Sequence, residues 1–209
     1  MRSIGLIGCG NWGIKHATLL ADRGYLAAIA DPIFGEFKQI NDNSKGSENP
    51  RQHKLLAEFG TTLRSSAIYP DHHQLLANEA ITAVVIATPA QTHAAIARAA
   101  LEAGKDVLVE KPLCLNMKDG EQLVSLAHDA KRMLQVGHLL EYHGAYVRMR
   151  QIASGKDADV SIGHVMHIES CLKKLGCVRQ DEDVLWSFGP HPIASILGLV
   201  QAVPRSSTV

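Results

Sequence analysis

The chain has 209 residues, of which 46% are hydrophobic, and its 21 basic and 21 acidic residues leave no net charge. This length suits either one large domain or one domain and part of a second. The charge balance provides no basic surface of the kind that nucleic acids or anionic membranes attract, so we expect neither as a partner.

The sequence predicts a cytoplasmic location. Its N-terminal stretch MRSIGLIGCGNWG is interrupted by glycines too early for a signal peptide. No stretch reaches the about 18 apolar residues of a membrane span. The four cysteines (Cys9, Cys114, Cys171 and Cys177) form no CxxC pair and lie in apolar segments, as reduced and buried thiols do.

Short apolar runs alternate with segments of helical length in the first part of the chain. The runs SIGLIG, YLAAIAD, TAVVIAT and DVLVE predict strands, and segments 11–23 and 91–103 predict helices that end at Gly24 and Gly104. Another helix is expected with Asp119 as its N-cap. Strands that are apolar throughout predict a parallel sheet covered on both faces. The polar segment 34–54 predicts a surface insertion.

The pattern changes after residue 138. A helix over 145–154 should lead to an antiparallel-type strand in DVSIGHVMHIES, and a helix should follow near VLWSFGPHPIASILGLV. A single strand cannot form a sheet alone. The predicted fold is therefore α/β, a doubly wound parallel sheet followed by an incomplete α/β (α+β) domain. We place the first domain at 1–118, with a returning helix and strand at 119–138, and the second at 139–209.

A dinucleotide signal follows the first predicted strand. Gly8, Gly10 and Gly13 fit the pattern G-x-G-x-x-G between a strand and a helix, where they allow a tight turn and close approach to a pyrophosphate. Asp31 ends the second strand, where an acidic side chain takes the ribose hydroxyl. Because an aspartate repels a 2′-phosphate, the sequence favours NAD over NADP.

A second chemical signal is the stretch VLVEKPL. It places Glu110 and Lys111 at the carboxyl end of a buried strand, the side of such sheets where ligands bind. Pro112 cannot extend the ladder and restrains the conformation of Lys111. Near a nicotinamide, the ammonium group of Lys111 could bind a substrate oxygen and stabilise developing charge. A surface Glu-Lys pair is the alternative.

The segments GLIGCGNWG, AIADP, VVIATPAQTH, AGKDVLVEKPL and VGH resemble, in order and spacing, the glucose-fructose oxidoreductase/inositol dehydrogenase/MocA family. The resemblance implies a Rossmann domain followed by a domain with a large antiparallel sheet, and NAD(P)-dependent oxidation or reduction of a sugar or cyclitol carbon. It implies these cofactor-binding residues: Gly8, Gly10, Asn11, Trp12, Gly13, Asp31, Thr88, Pro89, His93, Glu110 and Lys111.

The family's catalytic histidine falls on His191, which with Lys111 would form the acid/base pair. Two neighbours depart from the family pattern L-D-L-G-x-H-D, because Ser187 replaces an acidic residue and Pro192 follows the histidine. The stretches RQDEDVLWSFGPHPIASIL and GHLLEYHGAY resemble one branch, the UDP-sugar dehydrogenases of polysaccharide biosynthesis, including UDP-N-acetylglucosaminuronate 3-dehydrogenases. This branch implies further substrate contacts at His138, Tyr142, His143 and Arg179.

The remaining histidines give no metal site. His164 and His167 would point to opposite faces of the predicted strand, and His72-His73 should begin a surface helix.

Two functions of different class remain open. The first is an NAD-dependent dehydrogenase acting on a sugar or sugar-nucleotide hydroxyl. The second is a non-catalytic NAD-binding homologue without a complete substrate domain, because family members continue well beyond this length. Uncovered helices and an exposed strand would favour self-association, so we expect a homo-oligomer.

Overall fold

The computed structural model describes residues 3–34, 67–173 and 183–202. The chain divides into two compact units, residues 1–136 and 137–209. Among the described helices, none is long and apolar enough to cross a membrane.

The first unit is built on a six-stranded parallel sheet, and the predicted apolar runs form four of its strands. The strand order is β3-β2-β1-β4-β5-β6. The strands are β1 (Ile4–Ile7), β2 (Leu26–Ala30), β3 (Ile68–Tyr69), β4 (Ala83–Ile86), β5 (Asp106–Val109) and β6 (Leu134–Val136). This is the doubly wound sheet that the sequence predicts.

The central strand β1 pairs with β2 on one side and with β4 on the other. Ile7 lies opposite Ala30 of β2 and Ile86 of β4. The chain thus runs outward from β1 in one direction to β3 and in the other direction to β6. In open α/β sheets, ligands bind outside the carboxyl ends of the strands at this reversal point. A ligand site is therefore expected at the loops after β1, β2, β4 and β5.

Helices cover both faces of the sheet because its strands are apolar on both sides. The helices of this unit are α1 (Asn11–Asp22), α2 (His72–Leu76), α3 (Ala90–Glu102) and α4 (Met117–Asp129). Leu6, Ile29 and Val85 pack with Ala17 of α1 in one cluster. Neighbouring strand residues pack with α3 and α4 in a second cluster, which includes Ile7, Ile86, Ile96, Leu101 and Leu123.

The helix ends follow the predicted chemistry with one exception. Gly24 and Gly104 follow the C-cap residues of α1 and α3 and adopt φ values of 69° and 70°, the conformation predicted for glycines that end helices. The predicted N-cap of α4 is wrong, because Asn116 has that role. Its side-chain Oδ1 accepts a 2.9 Å hydrogen bond from the backbone N–H of Asp119. Asp119 instead lies in the first turn, where its negative charge favours the helix dipole.

The regular elements of the second unit, in the part that the structure describes, are all helical. After a 3-10 turn (Leu139–Tyr142), it contains α5 (Gly144–Ala153), α6 (Val184–Phe188) and α7 (Pro190–Val200). The strand predicted in DVSIGHVMHIES is wrong: residues 159–170 carry no strand. Alternating polarity favours an extended backbone, but a strand needs a neighbour for its hydrogen bonds, and residues 137–173 and 183–202 supply none.

The helix α5 matches the prediction for 145–154 to within one residue at each end. It is joined to α7 by Tyr146, whose hydroxyl donates a hydrogen bond to the backbone oxygen of Ser195. Burial raises the pKa of Tyr146, and the nearby Glu141 carboxylate adds to that rise. Gly198 is needed for this contact, because a Cβ at that position would lie 2.6 Å from the Tyr146 hydroxyl oxygen.

Candidate functional site

The loop after β1 is a tight turn that only glycine can form. Gly8 has a φ of 90°, and a Cβ there would lie 2.7 Å from Thr88 Cγ2 and 2.8 Å from the backbone of Ala87. A Cβ on Gly13 would lie 2.1 Å from the carbonyl oxygen of Gly8. The turn thus packs against the loop after β4 and against its own helix, as the predicted roles of these glycines require.

The helix α1 begins directly after this turn. Gly10 is its N-cap residue, and the first turn contains no acidic side chain that would neutralise the positive end of the helix dipole. Asn11 and Trp12 are exposed in that turn. The Lys15 ammonium lies 4.0 Å from the Trp12 ring centroid. A twelve-residue helix with this N-terminus provides backbone N–H groups and a positive field for a phosphate group.

Asp31 lies directly after β2 and is linked to the glycine turn. Its Oδ2 accepts a 2.6 Å hydrogen bond from the backbone N–H of Cys9, and its Oδ1 accepts a 3.0 Å bond from the N–H of Ile33. Two backbone donors therefore fix the carboxylate beside the turn. The three features together, the glycine turn, the N-terminus of α1 and the fixed carboxylate, fit the pyrophosphate and adenosine ribose of NAD.

A charge change at Asp31 is expected to alter the choice of cofactor. The wild-type chain should bind NADP at least about tenfold more weakly than NAD, because the carboxylate repels the 2′-phosphate. Asp31→Asn keeps an oxygen for the Cys9 N–H but removes the charge. It should therefore reduce the ratio of the NADP dissociation constant to the NAD dissociation constant. Isothermal titration calorimetry with both cofactors measures it. Equal affinities for the two cofactors in the wild-type chain would contradict the prediction.

Three further predicted cofactor residues, Thr88, Pro89 and His93, lie in the loop after β4 and in the first turn of α3. Pro89 is the N-cap residue of α3, and the Thr88 hydroxyl accepts a 2.7 Å hydrogen bond from Thr92. His93 is different from the other two, because only 1% of it is exposed. Its Nδ1 lies 2.7 Å from the carbonyl oxygen of Pro112, and its Nε2 lies 2.8 Å from the carbonyl oxygen of Thr88.

Glu110 and Lys111 follow β5 at the same edge of the sheet. The backbone N–H of Glu110 donates to the carbonyl oxygen of Ile86 in β4, and the Lys111–Pro112 peptide bond is cis. The Glu110 carboxylate lies 2.8 Å from Nε2 of His16 on α1. This contact joins the helix that follows the glycine turn to the Glu-Lys-Pro segment.

The sequence interpretation missed His16. A signal was present, since Gly13 and Ala17 are four residues apart and form the buried face of α1. His16 is three residues after Gly13, so it shares that face and should point towards the sheet. A histidine on an otherwise apolar or small-residue face requires a polar partner, and Glu110 is that partner.

The second unit carries the other predicted substrate residues. His191 is the second residue of α7, between Pro190 and Pro192 in the first turn. The first N–H groups of a helix have no partner within the helix, so Pro192 costs no hydrogen bond there. His138 precedes the 3-10 turn and is partly exposed, whereas Tyr142 and His143 are exposed. Arg179 lies outside the described residues, as do Cys177 and most of segment 34–54.

A group of potential metal ligands occurs at the start of α2. Asp71, His72 and His73 present ligand atoms within 4.8 Å of one another. Asp71 caps the helix by accepting a 3.0 Å bond from the His73 N–H. Burial lowers the pKa of His72, and the neighbouring His73 lowers it further. These histidines begin a helix, as predicted.

Comparisons with known proteins match the first unit to a described family. The family model of the GFO_IDH_MocA oxidoreductases, with an NAD-binding Rossmann fold, matches residues 2–138. A UDP-N-acetylglucosamine 3-dehydrogenase from Acidithiobacillus ferrooxidans is 32% identical over 151 residues, which are 72% of this chain and 41% of that protein. Inositol 2-dehydrogenase 1 from Saccharopolyspora erythraea is 30% identical over 168 residues, covering 78% and 45%.

Solved structures show a similar fold. An NAD-binding protein from Listeria innocua superposes with a TM-score of 0.72 and 21% identity, covering 94% of this chain and 54% of the other. The chain thus spans about half the length of the relatives it matches.

Proposed function

Because the chain belongs to the GFO_IDH_MocA family of oxidoreductases and its residues 2–138 match the NAD-binding Rossmann domain of that family, we propose that it is an NAD-dependent dehydrogenase. The proposed reaction transfers a hydride between the nicotinamide and a hydroxyl-bearing carbon of a sugar or sugar nucleotide. NAD is the cofactor of this domain and, when bound, supplies the hydride acceptor.

One observation carries the proposal from binding to chemistry. The glycine turn and the Glu110-Lys111 segment lie at the same edge of one sheet, and hydrogen bonds connect them through β4 and α1. Lys111 therefore lies at the carboxyl end of the strands, where ligands bind in open α/β sheets. An isolated Glu-Lys pair at a strand end would have no such relation to a cofactor turn.

Each proposed residue has a defined task. The glycine turn and the N-terminus of α1 hold the pyrophosphate, and the Asp31 carboxylate accepts hydrogen bonds from the ribose hydroxyls. Lys111 binds the substrate oxygen, and the hydroxyl proton passes to a base as the carbon–hydrogen bond breaks. That base is His191, or Lys111 when its amine is unprotonated. General acid–base catalysis of this kind contributes about 10²–10⁴-fold to a rate.

The substrate class rests on the second half of the chain. The stretches GHLLEYHGAY and VLWSFGPHP resemble the UDP-sugar dehydrogenases, and one curated relative is named for a UDP-sugar. Another relative is named for inositol, which carries no nucleotide. We therefore propose a UDP-N-acetylhexosaminuronate as substrate, with Tyr142, His143, Arg179 and His138 as its contacts.

The test compares cofactor binding with turnover. NAD is titrated calorimetrically into the full chain, and NADH absorbance is then followed with UDP-N-acetylglucosaminuronate and, separately, with myo-inositol. We expect NAD binding and NADH formation with the sugar nucleotide. NAD binding without turnover of either compound would instead support a binding-only homologue, and absence of NAD binding would contradict both functions.

A further inference from the structure

Two histidines from different helices hold the segment that contains Lys111. His16 of α1 contacts the side chain of Glu110, and His93 of α3 contacts the carbonyl group of Pro112. The lysine therefore lies between two residues that are each fixed by a histidine. Both contacts bridge residues that are far apart in the chain, so neither is a local turn contact.

The contact of His16 is a hydrogen bond to a carboxylate. Its Nε2 lies 2.8 Å from Glu110 Oε1, and the two side chains are only 22% and 12% exposed. Partial burial weakens the competition from water, so such a bond orients its partners better than an exposed ion pair does. His16 thereby connects Glu110 to the helix that begins at the glycine turn.

The contact of His93 is fully buried and twofold. Nδ1 and Nε2 both face carbonyl oxygens, at 2.7 and 2.8 Å, and a carbonyl oxygen can only accept. A neutral imidazole carries one N–H and can therefore donate to one of these two oxygens. The ring lies between both oxygens, and this packing connects the loop at Thr88 to the loop at Pro112.

We infer that His16 and His93 are positioning residues for Lys111, and this inference rests on the proposed dehydrogenase function. Each histidine ties the Glu110–Pro112 segment to a part of the cofactor turn. His16 does so through α1, and His93 does so through Thr88, whose side chain packs against Gly8. The two contacts thus fix the lysine relative to the place where the nicotinamide cofactor is bound.

The physical consequence is a requirement on geometry and not on affinity. A displacement of about 1 Å in a reacting group can lower a rate by about 100-fold. The pyrophosphate and ribose contacts lie elsewhere, at the glycine turn and Asp31. Loss of the His16 contact should therefore reduce kcat while leaving KM and the NAD dissociation constant nearly unchanged.

The test measures Lys111 directly in the full chain without substrate. An amine-acylating reagent labels the lysines, and mass spectrometry compares the rate at Lys111 with the rate at the exposed Lys118. In His16→Ala and in His93→Gln, we expect the rate at Lys111 relative to Lys118 to rise at least about threefold. The Glu110–Pro112 segment then loses a contact that holds it, and the Lys111 side chain becomes more accessible to the reagent. His16→Gln, whose amide can donate to Glu110, should restore the wild-type rate.

A matched control is His128→Ala. The His128 side chain is 89% exposed on α4 and lies 3.4 Å from the adjacent Asp129, so its loss should leave the rate at Lys111 unchanged. Adding Glu110→Ala to His16→Ala should cause no further change, since each substitution removes the same contact. Thermal unfolding confirms that each variant is folded. If His93→Gln does not fold, the His16 and Glu110 variants still decide the question.

The kinetic arm completes the test. With a turned-over substrate, His16→Ala should lower kcat by about tenfold or more, with KM and NAD affinity within about twofold. Unchanged labelling at Lys111 in both histidine variants would overturn the inference. So would equal losses in kcat and NAD affinity. If the wild-type chain turns over no substrate, the proposed function fails, whereas the labelling result still tests the two histidines.

Discussion

Gly13→Ala is expected to abolish measurable NAD binding and to destabilise the first unit by about 3 kcal/mol or more. The added Cβ would lie 2.1 Å from the carbonyl oxygen of Gly8, and that oxygen is backbone that cannot rotate away. The helix α1 must then move away from the glycine turn. Calorimetric titration with NAD and thermal unfolding measure the two effects.

Gly24→Ala is the matched control for this change. A Cβ at Gly24 would meet no atom within 4 Å, although its φ of 69° disfavours any other residue. The expected cost is about 1 kcal/mol, and NAD affinity should be unchanged. NAD binding by Gly13→Ala at wild-type affinity would show that the close packing of the turn is not needed for the cofactor.

Lys111→Met is expected to lower kcat by about 100-fold or more, a larger factor than its effect on NAD affinity. Methionine keeps the unbranched apolar part of the side chain but cannot donate a hydrogen bond to the substrate oxygen or exchange a proton. Steady-state rates followed by NADH absorbance give kcat, and calorimetry gives the NAD dissociation constant. The effect should persist at saturating substrate, because it concerns the chemical step.

Lys118→Met provides the comparison at an exposed position of α4. It changes the same charge on the same unit but belongs to α4 and not to the Glu110–Pro112 segment. Its kcat should equal that of the wild-type chain. If Lys111→Met retains wild-type turnover, proton transfer must be assigned to another residue, and His191 is then the candidate to replace.

The parallel sheet was predictable because its signal is local. Residues such as Leu6, Val84 and Val109 belong to short apolar runs, and strands that are buried on both faces must be apolar throughout. The glycine turn was predictable for a similar reason, since Gly8 and Gly13 are close in sequence and each excludes a side chain. Strand order and the family match agree with that interpretation.

Contacts between distant residues were not predictable in the same way. His16 and Glu110 are 94 positions apart, and only the packing of α1 on the sheet beside β1 and β2 brings His16 to the Glu110 carboxylate. Asp119 satisfies the composition of an N-cap, but Asn116 three residues earlier forms the actual cap. In residues 159–170 the alternation of polarity was real, but alternation alone does not supply a pairing partner.

The position of β1 at the centre of the sheet imposes an order on folding during synthesis. Ile4 of β1 can pair with Leu26 of β2 early, but its other partner, Ala83 of β4, lies 79 positions later in the chain. At roughly 5–20 residues per second, this stretch takes the ribosome roughly 4–16 s to make. During that interval one edge of β1 is an open strand edge, which other chains can pair with. The cofactor turn lies at the middle of the sheet because β1 is central. The same central position leaves one edge of β1 unpaired until β4 has been synthesised.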